Sequence, residues 1–93
     1  MTSRASVIIK NPRPNQIYRH YKSFTNKYKI LALGLNESNN ESVVIYQALY
    51  GNKQIWVRTL ADWQRPIAFD DLPPKIIHLA PALVGKNRFI LDE

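Results

Sequence analysis

VVIYQALYGNKQIWVRTL, residues 43–60, decides the fold. Val43 to Tyr50 is dominated by β-branched and aromatic side chains, which suit a pleated, half-buried surface. Gly51-Asn52-Lys53-Gln54 follows as a hairpin loop, with Gly51 and Asn52 both suited to positive φ. Ile55 to Leu60 (IWVRTL) resumes the strand pattern. Strand, tight loop and strand together predict an antiparallel hairpin in the middle of the chain.

Outward from that hairpin the pattern recurs. Tyr28 to Leu35 (YKILALGL) is strongly apolar, and Asn36 to Ser42 (NESNNES) is a polar, turn-rich loop joining it to Val43. Ile17 to Lys22 (IYRHYK) alternates around aromatic and β-branched residues. Helical periodicity is weak, apart from one turn at Leu60 to Gln64 that Pro66 limits. The chain therefore reads as mostly β: a small, strongly bent antiparallel sheet or open SH3-like barrel of four to six strands. Residues 1–13 form a basic leader in which SVIIK, residues 6–10, is a candidate edge strand. Residues 14–70 make up the β domain. Residues 71–93 are a Pro-rich extension expected to pack on the same domain, with candidate strands at Ile76 to Leu79 and Arg88 to Leu91.

Strand residues alternate between faces. In the second to fourth strands one set is aliphatic and predicts the core: Leu31, Leu33 and Leu35; Val43, Ile45 and Leu49; Ile55 and Val57. The alternate set places Tyr46 and Ala48 with Trp56 and Arg58, beside the small residues Ala32 and Gly34. That set is either an aromatic core or a concave face with room for a flat ligand. Trp and Tyr serve both uses. Arg58 supplies a planar fork for an anion, and His20 and Arg19 come from the neighbouring strand.

The chain has 93 residues, one domain with a thin core. It has no cysteine, which excludes disulfides, thiolate metal sites and a cysteine nucleophile. His20 has no partner at metal-ligand spacing and His78 lies in the Pro-rich tail, so no metal and no cofactor is expected. No apolar run is long enough for an export signal or a membrane span, which predicts a cytoplasmic protein with no membrane partner. The formal net charge is +6, and residues 1–69 hold ten of the thirteen Lys and Arg but three of the seven acids. Such a basic body attracts polyanions.

Tyr18-Arg19-His20-Tyr21-Lys22, Tyr46, Ala48-Leu49-Tyr50-Gly51 and Trp56-Val57-Arg58 fall in an order and spacing that resembles domain-of-unknown-function family 1653, a set of small bacterial proteins. The likeness runs from about Pro14 to Ile67. It departs from the family's pattern at Asn36, where a histidine is usual, at Thr59, where proline is usual, and at Asp62-Trp63, where Met-Phe is usual. The resemblance implies a compact β fold and no particular substrate.

The expected function is a small, non-enzymatic binding module with an aromatic and basic face, for nucleic acid or a nucleotide. Tyr18, Arg19, His20, Tyr46, Trp56 and Arg58 are its candidate binding residues, with Lys22, Lys27 and Lys29 as further phosphate contacts. Base stacking and phosphate pairing are the chemistry those residue types offer. One alternative is a protein or peptide module using an open strand edge or an aromatic cage of Tyr18, Tyr46 and Trp56. The other is a small-molecule enzyme with His20 as general base, although no phosphate loop, nucleophile elbow or paired-carboxylate motif is present.

Overall fold

The computed structural model describes residues 11–92. The candidate edge strand at residues 6–10 lies outside them. Strands β1 (Ile17–His20), β2 (Ser23–Leu35), β3 (Ser42–Ala48), β4 (Ile55–Thr59) and β5 (Phe89–Leu91) form one sheet in the order β4-β3-β2-β1-β5. Every pairing is antiparallel. The sheet is mostly β structure of the expected size, and it is open: among the described residues β4 and β5 are its two edges.

The sheet is also strongly curved. In a flat sheet the outer two of five strands would lie about 19 Å apart. Yet the Arg58 guanidinium of β4 sits 5.2 Å from the ring centre of Phe89 on β5. Register shifts at Arg19/His20 and between Ile30 and Ala32 bend the strands locally.

The central hairpin forms as the residues dictate, with one difference. Gly51 takes φ +59° as expected, but the second positive φ falls on Lys53 at +58°. Ser23 to Lys27 also pair, so β2 begins earlier than its apolar stretch. Those residues are too polar to announce a strand; they form one because β1 turns straight back on them, bringing His20 opposite Ser23.

After β4, Thr59 caps helix α1 (Leu60–Gln64), its Oγ1 accepting the Asp62 N–H at 3.0 Å. The tail then runs through 3₁₀ turns at Phe69–Asp71 and Pro74–Leu79 and through α2 (Ala80–Leu83). Ile76 to Leu79 is thus helical and not a strand. Pro74 at the first helical position presets φ, and the Ile76 N–H closes onto the Pro73 carbonyl at 3.0 Å. The last expected strand does form: β5 adds to the free edge of β1.

The core lies on the opposite face from the one the aliphatic alternation selects. Val44, Tyr46 and Ala48 are 0%, 6% and 2% exposed, whereas Leu49 and Val57 are 38% and 65% exposed. Val43 is buried and Ile45 half-buried. The reason is coverage. Trp63 on α1 and Phe89 on β5 stack with ring centres 3.7 Å apart and join Tyr18, Ile30, Val44 and Tyr46 in one cluster. Large rings bury more apolar area than valines do, so the aromatic face wins the cover. The bulge near Leu31 then changes parity along β2: Ile30 is fully buried opposite Tyr46, Ala32 and Gly34 come opposite Ile45 and Val43, and Leu33 and Leu35 come opposite Val44 and Ser42, where they stay 40% and 66% exposed.

A second cluster, Tyr21, Ile67 and Leu72, ties the tail to the β1–β2 turn. Beside it the buried Arg88 donates through Nε to the Arg65 carbonyl at 2.9 Å and through Nη2 to the Asp71 carboxylate. The Tyr21 hydroxyl donates to the Asp71 carbonyl at 3.1 Å. Burying one arginine costs little here because its donors meet acceptors.

Candidate functional site

Curling the sheet leaves a cleft of about 330 Å³ on its concave face, lined by His20, Lys22, Ser23, Asn26, Tyr28, Tyr46, Arg58 and Phe89. The strand register explains the gathering. Tyr46 stands opposite Ile30 and Trp56, Tyr28 stands opposite Tyr18 and Ala48, and His20 stands opposite Phe89. Residues opposite one another share a face.

Arg58 is the fixed cation of this cleft. Its Nη1 donates to Asp62 Oδ2 at 2.6 Å and its Nε to the Tyr46 hydroxyl at 3.4 Å. Nη2 has no partner among the described residues. Burial works against the charge, but the Tyr46 hydroxyl and the Asp62 carboxylate outweigh it and hold the pKa above its ordinary value. Asp62 does not neutralise Arg58 alone, because it also pairs with Arg65 at 3.2 Å. Lys22 contributes a second, exposed cation.

His20 is held neutral. Burial first, then the fields of Lys22, Arg58 and Arg88, lower its pKa to about 4. Its Nδ1 accepts the Lys22 backbone N–H at 3.2 Å, which leaves the proton on Nε2 as a donor. The ring meets Phe89 edge-on at 5.0 Å. Tyr28 bonds the Tyr50 hydroxyl at 2.7 Å; burial and then that bond push its own hydroxyl above the usual phenol range, so it stays protonated.

The structure therefore brings three of the six expected binding residues to one cleft: His20, Tyr46 and Arg58. Tyr18 instead is core, 8% exposed and edge-on to Trp63 at 5.3 Å. Arg19 faces the other side of the sheet, where Asp92 binds it at 2.7 Å and Lys27 at 3.0 Å. Trp56 shares the face of Tyr46 and is half-exposed, outside the cleft lining. The residues that sequence reasoning left out are Ser23, Asn26, Tyr28 and Phe89. Alternation gave a signal for Tyr28. Phe89 carried none, since only the closure of β5 onto β1 brings it there. Among the described residues, no three His, Cys, Asp or Glu side chains group closely enough to hold a metal ion.

A family model described as "Protein of unknown function (DUF1653)" matches residues 16–75, well over half the chain. The chain belongs to this family. All of the cleft lining except Phe89 falls inside the DUF1653 match; the tail supplies that one ring. The DUF1653 match also spans β1 to β4 and α1, the elements that set the concave face. No curated protein and no solved structure matches the chain significantly.

Proposed function

We propose that this protein is a binding module whose concave cleft takes a nucleotide, free or within a nucleic acid. The carrying observation is the lining: two cations, a neutral histidine and two tyrosines around a cleft of about 330 Å³, with no carboxylate among the lining residues. Such a site favours an anionic group beside a flat ring. Trp56, half-exposed next to Tyr46, offers a further ring to stack on. The catalytic alternative is weaker on physical grounds. A histidine with a pKa of about 4 is a poor general base at neutral pH.

The test is a titration of isotope-labelled protein with a nucleoside monophosphate and with a short single-stranded oligonucleotide, at low and moderate salt. Shifts at His20, Lys22, Tyr46 and Arg58 that weaken with salt are the expected result. Absence of shifts at low salt overturns the reading.

A second reading has its own observation. Among the described residues β4 is an edge strand, carrying Ile55, Trp56 and Val57 at 49%, 50% and 65% exposure. An apolar open edge suits an extended peptide that adds as a strand. Salt-insensitive binding with shifts confined to Ile55, Trp56 and Val57 would favour it over the cleft.

A further inference from the structure

We infer that the cleft seats a terminal phosphate, the phosphomonoester of a mononucleotide or of a nucleic-acid end, and not the internal diesters of a strand. This rests on the nucleotide reading above and narrows it.

The cations are divided between the faces of the sheet. Arg19 stands opposite Lys27, and Lys29 opposite Ile17 and Gln47; all alternate away from Tyr18, Tyr28 and Ala48. Arg19 and Lys27 are further occupied by Asp92. At the cleft itself the cations are Lys22 and Arg58, with the buried Arg88 adding its field behind His20. A protein that holds a strand needs a basic groove tracking successive phosphates. The described residues form a point cluster.

The donors at that point exceed what a diester uses. Arg58 presents its unpartnered Nη2, His20 its Nε2–H, and Lys22 its ammonium, with Ser23 and Asn26 on the same lining. A diester carries one charge and two free oxygens. A monoester carries about −1.5 to −2 at neutral pH and three acceptor oxygens. The Arg58–Phe89 contact at 5.2 Å also draws the two sheet edges together across the concave face, a geometry that suits a chain end better than a chain passing through.

The experiment compares four probes on the intact protein by calorimetry and NMR: a nucleoside, its monophosphate, and a short oligonucleotide with and without a terminal phosphate. The phosphorylated member of each pair should bind about tenfold tighter or better, the worth of one charge-assisted hydrogen bond. Arg58→Gln should abolish that preference. Lys22→Gln, at an exposed position where folding is not at stake, should reduce it. If the monophosphate gains and neither oligonucleotide binds, the source is a mononucleotide; if both phosphorylated probes gain, ends of nucleic acid qualify too. Equal binding of the two oligonucleotides, with either one bound well, overturns the inference and leaves the nucleotide reading standing. No binding by any probe overturns both.

Discussion

On the covered face of the sheet, Tyr18, Ile30, Val44 and Tyr46 are at most 8% exposed. On the opposite face, Val57 is 65% and Ile55 49% exposed. Both faces alternate correctly, and both carry apolar side chains. They differ in what lies over them. α1 brings Trp63 and β5 brings Phe89 to the first; no helix of the described residues packs a ring against Val57 or Ile55. In so small a protein one face takes most of the cover, with Val43 the buried exception on the other, and rings fill it more fully than branched aliphatics. The cleft is the unfilled remainder of that same face, so core and site are built from shared residues. Tyr46 serves in both.

The sharpest way to break this comparison is to remove a covering ring. Trp63 stacks on Phe89 and meets Tyr18 and Tyr46 edge-on at 5.3 and 5.2 Å. Trp63→Ala should lower stability by about 3–5 kcal/mol in denaturant unfolding. A loss under 1 kcal/mol would mean that the aromatic face is not the core.

The next effect is pH dependence. His20 on the covered face has a folded pKa of about 4 against 6.5 when unfolded. Between those values the unfolded chain binds the extra proton, so stability falls as the pH drops from 6.5 towards 4. The ring is only partly screened from water, which reduces the effect to about 1–2 kcal/mol. His20→Gln should flatten that limb of the stability curve. Asp71 and Asp92 lose their stabilising pairings only further down, as pH falls below their ordinary 3.8, because their folded values are depressed. The Ala68 backbone N–H holds Asp71 down first; Lys27 and then Arg19 hold down Asp92.

The smallest effect is expected on the open face. Val57→Thr should change stability by no more than about 0.5 kcal/mol, as exposed substitutions do. A larger loss would reveal a cover over β4.

The candidate site was partly legible before folding. His20, Tyr46 and Arg58 were recognisable because each falls on a strand with a parity that a hairpin register preserves. Tyr18 and Arg19 sit on the same strand as His20, yet they point to the core and to the open face, and residue type alone does not tell a stacking tyrosine from a packed one. Leu31 to Leu35 was misleading for a different reason: a bulge changes parity without leaving a mark in composition.

The sequence by itself determined β1, β3, β4, the apolar part of β2 from Tyr28, the hairpins that join them and the helical turn at Leu60 to Gln64, because each depends on neighbours within a few residues; it mistook Ile76 to Leu79 for a strand. The tertiary structure alone decided which face became the core and where the cleft opened. Those depend on α1 folding back over β3 and on β5 closing against β1, contacts between residues far apart in the chain. Alternation says that two faces exist; only the cover, and the apolar area it buries, chooses between them.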